Sequence, residues 1–539
     1  MKKKQNIILS LLLAVMITVT VFAGCGKKAN ETEPTTSAPQ KTVASESTID
    51  TSTPYEFTHY VDFDWWNGEK LEEKEYGKYL LEKTNCIVKT SKPPQGATET
   101  LQIMLSSNQI PDLITVDCSS PAVGSLIEGG YVQDIGKLID EFAPDIRKYV
   151  EPEYFQYHKW NDGKNYYFSN FIKTKWVQEQ EGFSKIDTST NVHLIRSDIY
   201  EAIGKPDMTS PENFFKALMS IKEKYPKIKP YYFGPSIMED SLFKLSEYQA
   251  NYFMMTQFGL GKYEVINDKV VSSIRGSKFQ EYIKFMNKLY VNGLIDNGSF
   301  IDSEEIKKTK YRDGNAAVFS AKLEYWNPVP KDGSKKYDYL PYFADAKATK
   351  ADSGWTATFI SSKVAKPERI MKFIEWCESP KGKADNSYGP EGKCYTLDSN
   401  GWPVRSTEWI KKVEADANLL NETGISAYMW FADAYYSLRA YWTDDVIISK
   451  EIKNDWKSKY ADKFNYEVFL GRMDPPGNTD EGAILARLIT HAQTYYPKMI
   501  LAKDESECMK IYNEFLSTCE SGGLEKLEKY WTTKYQQYK

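Results

Sequence analysis

The side chains best suited to chemistry in this sequence are its aromatics, wherever they stand beside carboxylates, amides or a guanidinium. The chain holds 38 Tyr, 25 Phe and 13 Trp, together 14% of its 539 residues. In a sugar site the C–H faces of the rings stack on Trp or Tyr, while hydroxyls are fixed by Asp, Glu, Asn and Arg. Trp65-Trp66-Asn67 follows a strand-like alternation from Tyr55 to Phe63. Adjacent side chains in an extended segment point opposite ways, so one Trp is expected inside and the other exposed to ligand. Asp117 and Cys118 follow the apolar run Leu113 to Val116, again at a strand end; a solvated turn Asp is the alternative reading. The densest aromatic cluster is AYMWFADAYYSLRAYWTDD. On a helix, Trp430, Ala434 and Ser437 share one face, and Tyr435, Arg439 and Trp442 share another. Core packing accounts for most of these, with Trp430 and Arg439 as the candidate contacts.

Other chemistries find little support. No GxSxG, HExxH or phosphate-binding GxxxxGK[ST] motif occurs. The four His (59, 158, 193, 491) are not at metal-ligand spacing, and the seven Cys include no CxxC. The acids of Asp296 to Asp302 and of Asp444-Asp445 lack oxygen-ligand spacing. No catalytic residue, metal or cofactor is therefore expected. Glycoside hydrolysis needs two carboxylates, for which Glu391 and Asp433 are candidates, but among 74 acids any pair can be drawn.

The elements that position these residues begin with an export signal. Lys2, Lys3 and Lys4 form a positive start, Ile7 to Val21 an apolar stretch, and Phe22-Ala23-Gly24-Cys25 a small-residue ending. The stretch is too short and wrongly flanked for a permanent span. Its ending resembles a bacterial lipobox, with Phe22 where Leu is usual. That implies residues 1–24 as a lipoprotein signal peptide and lipidation of Cys25; ordinary secretory cleavage is the alternative. A diacylated cysteine supplies the two chains that durable anchoring needs, so a body tethered to the outer face of a cell membrane, in a Gram-positive bacterium, is expected. Losing Lys2, Lys3 and Lys4 makes the formal charge of −5 three units more negative, which argues against nucleic acid as a partner. Residues 25–54 are rich in Thr, Ser, Pro and Glu and read as a stalk. Of the six further cysteines, Cys377/Cys394 or Cys508/Cys519 are possible pairs, and six free thiols are an equal alternative.

Beyond the stalk, helix and strand alternate at a spacing that implies βαβ units and a parallel sheet. A helix is expected across Tyr76 to Lys83, a strand at Ile87 to Lys89, and amphipathic helices at Phe279 to Leu289 and Arg369 to Cys377. Ser210-Pro211-Glu212-Asn213 reads as a helix start, with Ser210 as cap and Phe214, Phe215, Leu218 and Ile221 as the apolar face. About 515 mature residues exceed one core, so two large lobes are expected.

Several segments in order, SNQIPDLITVD, GGYVQDIGKLIDEFAPDIRKY, NDGKNYYFSNF, HLIRSDIYEAIGKPDMTSPENFFKALMSIK, YRDGNAAVFS and KPERIMKFIEWCESPKGKADNSYGPEGKCYTLDSNGWP, resemble the extracellular solute-binding proteins, family 1, of bacterial ABC importers. The resemblance runs over nearly all of Tyr55 to Lys539. It implies a two-lobed α/β fold of the periplasmic-binding-protein type (class II), with a ligand cleft between lobes joined by a hinge. Residues 55–191 plus 353–398 would form the first lobe, and 192–352 plus 399–539 the second. It also implies stacking contacts from Trp176 near the first lobe crossing, from Tyr248 and Tyr252, from Trp326 after the GNAAVFS strand, and from Trp355 at the hinge. Tyr388, in a Gly/Pro loop, would reach the same ligand, whereas Glu391 would equally cap the turn. The function implied is a monomeric lipoprotein that captures an oligosaccharide or other small solute and passes it to importer permease subunits. A surface polysaccharide-binding protein without transport, and a tethered glycoside hydrolase, are the competing readings.

Overall fold

In β1 (Tyr55–Val61) Phe57 and Val61 face one side and Tyr60 the other, and all three are buried. That is the period of two an extended chain dictates. β1 pairs in parallel with β2 (Cys86–Ser91) and β3 (Leu113–Asp117). β12 (Thr356–Ile360) and β4 (Tyr167–Phe168) complete a five-stranded sheet of order β2-β1-β3-β12-β4. The sheet is mixed and not wholly parallel, because β12 arrives from a returning crossing and runs antiparallel to β3 and β4. Both faces are covered. Phe57, Val61 and Leu113 pack with Ile135 and Ile139 of helix Ile135–Phe142 and with Phe373 and Ile374 of helix Pro367–Glu378. Tyr60, Ile114, Val116 and Phe359 pack on the other face with Leu101, Leu105 and Leu126.

The computed structural model describes residues 49–94, 99–180, 191–233, 242–243, 250–302, 306, 309–310, 313–322, 337–350, 353–416, 418–431, 435–436, 463–466, 473–477 and 479–538. The described residues from Ile49 on belong to one compact unit.

A second sheet has the order β10-β5-β9-β6, from β10 (Tyr337–Tyr339), β5 (Asn191–Arg196), β9 (Ala316–Lys322) and β6 (Lys229–Tyr232). Only its β6–β9 pair is parallel. Helix Pro211–Lys224 starts as its sequence dictates: the Ser210 hydroxyl accepts from Asn213 N at 3.2 Å, and Phe214, Leu218 and Ile221 are buried. Its apolar face joins a second core with helix Ser277–Val291 and the last three helices, Asp480–Ile500, Glu505–Ser521 and Leu524–Tyr538. The hairpin β7 (Tyr263–Ile266) and β8 (Lys269–Ser272) docks on the last helix, where Val270 N donates to Thr532 and Ser272 N to Glu528.

The chain passes from the first sheet to the second after β4, returns before β12, and by Met473 has joined the second core again. These crossings are laced together. Ile172 of the first bridges Ser353 of the second. β11 (Ala348–Lys350) of the second pairs in parallel with β15 (Phe464–Tyr466) of the third. Part of residues 399–431 packs with the first core. After the hairpin β13 (Tyr395–Leu397) and β14 (Pro403–Arg405), the side chains of Trp409, Ile425, Tyr428, Trp430 and Phe431 are buried there, covering a face of the first sheet. The six cysteines from Cys86 on are free thiols, five of them buried.

Candidate functional site

β1 and β3 run parallel and end together at Val61 and Asp117, and β12 begins beside them, with Thr356 paired to Asp117. Open α/β sheets bind ligands outside such carboxyl ends. The backbone turns tightly on leaving β1: Phe63 N donates to Val61 O at 2.8 Å, and Trp66 N to Phe63 O at 3.2 Å. On the neighbouring strands Cys118 N donates to Trp355 O at 2.9 Å. Three chain segments thereby bring their aromatics to one end of the sheet.

Phe63 lies at the centre of that group. Its ring centroid is 5.0 Å from Trp355 and 5.3 Å from Trp65, and it stacks on Trp430 at 5.8 Å with 19° between planes. Trp65 and Trp355 are 6.0 Å apart, Trp355 and Trp430 6.1 Å, and Trp66 meets Trp430 edge-on at 5.4 Å. Each such pair contributes about 0.5–1.5 kcal/mol beyond its burial. Exposure is graded across the group: Trp430 is 0% and Trp66 2% exposed, Trp355 is half-buried, and Trp65 is 55% exposed. The result is a fixed apolar floor beneath indoles that present faces to solvent.

The floor is pinned by polar groups. Trp66 Nε1 donates to Ala427 O at 2.8 Å. His59, wholly buried on β1, hydrogen-bonds the Tyr428 hydroxyl through Nδ1 and Thr115 Oγ1 through Nε2, both at 2.8 Å. Thr115 continues to Thr358 at 2.7 Å. Burial pushes the His59 pKa down to about 3, so the ring is neutral, with one nitrogen donating and the other accepting. One side chain thus ties the segment carrying Trp430 to β1, β3 and β12. Nearby, burial raises the Asp62 carboxyl above its ordinary range, against the Tyr60 hydroxyl that donates to it at 2.7 Å.

The crossings meet beside this floor. Gly354 has φ +81°, and a Cβ there would stand 2.2 Å from Ser169 Oγ and 2.5 Å from Asn170 O, so only glycine fits. Asn170 Nδ2 donates to Met429 O at 3.4 Å, and His158 Nε2 lies 3.2 Å from Ser353 O. Trp430 Nε1, Asn170 Oδ1 and Thr356 Oγ1 are buried without a hydrogen-bond partner among the described residues. Leaving such atoms unpaired costs about 1–3 kcal/mol each.

No family model matches the chain. A curated relative from Niallia circulans, described as "Uncharacterized protein in butB 5'region", is 30% identical over 138 residues, 23% of this chain and 52% of its own length. The chain thus spans about half the length of that relative. Solved structures match over far more. The S. pneumoniae ABC-transporter substrate-binding protein FusA in complex with kestose aligns with a TM-score of 0.67 at 19% identity, over 90% of this chain and 99% of that one. An HMO-binding, ABC-transporter-associated solute-binding protein from Bifidobacterium longum infantis gives 0.67 at 15%, over the same shares. The alginate-binding protein AlgQ2, solved without calcium ion, gives 0.66 at 16%, over 90% and 98%. The chain has the solute-binding-protein fold.

Within this solute-binding fold the residues singled out from sequence separate into three groups. Trp65, Trp66, Trp355 and Trp430 converge, and Asp117 lies at the same sheet end, its carboxylate accepting from the Ser119 backbone and hydroxyl at 2.7 and 2.6 Å. Trp66 and Trp430 are floor. Trp176 and Tyr388 stand elsewhere. Trp176 is 38% exposed and packs on Tyr435 at 5.9 Å. Tyr388 is wholly buried between Tyr395 and the Arg405 guanidinium, so in this structure its side chain is core. Cys25, Tyr248, Trp326 and Arg439 lie outside the described residues, as does the side chain of Tyr252, which is on helix Ala250–Gln257. Ile425–Phe431, leading into the segment read as helical, forms turns, Tyr435 and Tyr436 are helical, and the rest of that reading, through Trp442, lies outside the described residues. Sequence reasoning missed Phe63, although its alternate spacing with Val61 and Trp65 was visible. Among the described residues no group of three or more His, Cys, Asp or Glu is placed to hold a metal ion.

Proposed function

We propose that this chain is a non-catalytic receptor that captures an oligosaccharide against the Phe63, Trp65 and Trp355 aromatics, closes its two sheets over it by flexing the crossings, and passes it to the permeases of an ABC importer. Lipidation of Cys25 would tether it to the outer face of the membrane, which keeps the captured solute near its importer. The observation that carries this reading is the exposed Trp65 indole beside half-buried Trp355, held on a rigid floor at the carboxyl ends of parallel strands. Flat apolar faces suit sugar rings. The resemblance to family 1 and the titles of the solved structures of like fold, which name sugar ligands, point the same way.

The test is calorimetric titration of a Pro54–Lys539 fragment with neutral oligosaccharides, acidic oligosaccharides and short peptides, with product analysis of each sample. One-to-one binding with the sugar recovered intact is the expected result. Cleaved sugar would replace the receptor with a hydrolase, and selective peptide binding would replace the substrate class.

A further inference from the structure

A second aromatic group lies outside the aromatic wall formed by Phe63, Trp65 and Trp355 with Trp430 in its floor. Trp402 sits in the β13–β14 hairpin, whose turn is closed by Asp398: Asp398 N donates to Trp402 O at 2.8 Å, and Trp402 N donates to Asp398 Oδ1 at 2.9 Å. Its indole meets Tyr435 edge-on at 5.0 Å and Tyr436 at 5.7 Å. From the other direction Trp176, on helix Lys175–Glu179 of the first crossing, meets the same Tyr435 at 5.9 Å. Tyr435 is itself only 2% exposed, a wedge between two indoles. Trp176 is 38% exposed and Trp402 half-buried, so this group repeats the build of the wall, a buried ring flanked by more open indoles.

The two groups are tethered at short range. Tyr435 follows the wall residue Trp430 by five positions, and five residues span at most about 17 Å even when fully extended. Several linked sugar rings cover that length, whereas a single ring does not. Trp176 remains 38% exposed and Trp402 half-buried although both pack on Tyr435, and exposed aromatics are ordinary only when scattered singly.

Building on the receptor reading above, we propose that Trp176 and Trp402 form a second stacking platform for the same oligosaccharide, and that it makes the site select chains of several rings over mono- and disaccharides. Trp402 is then a specificity-determining residue. The wall supplies stacking for any accepted sugar, and the platform adds stacking only for a chain long enough to reach it.

The experiment is a fluorine NMR titration of the Pro54–Lys539 fragment labelled with 5-fluorotryptophan, resonances being assigned by single Trp→Phe variants. The probes are pure fructo-, xylo- and manno-oligosaccharide series from monosaccharide to hexasaccharide. Signals of Trp65 and Trp355 should move with every sugar that binds, and those of Trp176 and Trp402 only with the longer members. Trp402→Ala should weaken the longest binder about tenfold while changing the shortest less than about twofold. Because Trp402 packs on two tyrosines, Trp176→Ala serves as the second variant, expected to act in the same direction with an unchanged melting temperature. If Trp65 and Trp355 respond while Trp176 and Trp402 stay fixed at every length, the platform is overturned and the receptor reading stands. If Trp65 and Trp355 stay fixed throughout, the receptor site itself is misplaced and the platform falls with it.

Discussion

Each sheet carries a buried histidine whose imidazole hydrogen-bonds a tyrosine hydroxyl: His59 to Tyr428 in the first, His193 to Tyr231 in the second. The origins of the tyrosines differ. Tyr231 belongs to β6 of the same sheet and passes the contact on to Ser320 of β9 at 3.0 Å, so these bonds run within one sheet. Tyr428 comes from 369 residues further along, on the segment that also delivers Trp430 to the aromatic floor. The same polar device therefore serves packing in one sheet and site assembly in the other. A buried network specifies a unique arrangement when all its members are satisfied, and in the first sheet that arrangement includes the proposed binding surface.

Acid should strain both devices and produces the largest effect. Burial lowers the His59 pKa to about 3 and that of His193 well below its ordinary value. Folded, both rings stay neutral; unfolded, they take up protons below about pH 6.5. Stability is thus complete above that value and falls as pH drops toward the folded-state values, by up to about 1.4 kcal/mol per histidine per pH unit. Melting temperatures recorded from pH 7 to pH 4 should decline steeply below 6.5, and a flat profile would remove both histidines from the account.

Replacing Trp65 and Trp355 together by Ala should cost about a hundredfold in sugar affinity, roughly 2.7 kcal/mol. Trp65→Ala alone should leave the melting temperature nearly unchanged, since that indole is 55% exposed. Undiminished affinity in the double variant would place the site elsewhere.

The comparison sharpens with the paired variants Tyr428→Phe and Tyr231→Phe. Each removes one hydrogen bond from a buried imidazole, at about 1–3 kcal/mol of stability by denaturant titration. Only Tyr428→Phe should also weaken sugar binding, by about three- to tenfold. Equal affinity losses would erase the distinction between the two sheets. The smallest effect is expected at Ser210→Ala, which strips the cap from helix Pro211–Lys224 in the second core. Its cost is about 1 kcal/mol, and calorimetry should find binding untouched.

What the sequence made legible follows from local physics. Leu113 to Val116 reads as a strand buried on both faces because its residues on both faces are apolar or β-branched, and β3 is buried through Leu113, Ile114, Thr115 and Val116. The Ser210-Pro211 start is written in cap chemistry. The opposed fates of Trp65 and Trp66 match the expectation from alternation, but the turn after Val61 sets them, with Trp66 Nε1 bound to Ala427 O. The direction of β12 was not legible, because alternation is the same for parallel and antiparallel neighbours. Nor was the allegiance of Ile425–Phe431: its aromatics suit either core, and only the long-range bonds His59–Tyr428 and Trp66–Ala427 place it on the first. Phe63 was lost as the last residue of an expected strand, although the strand ends at Val61 and the turn after it turns Phe63 into the hub of the wall.

The central claim is that solute sits at the carboxyl end of the first sheet. Hydrogen–deuterium exchange of the Pro54–Lys539 fragment, with and without the tightest-binding oligosaccharide, tests it most directly. Protection is expected in residues 61–67, 353–356 and 425–431 together, the three segments that build the aromatic group. Protection confined to other segments, with these three unchanged, would contradict the account.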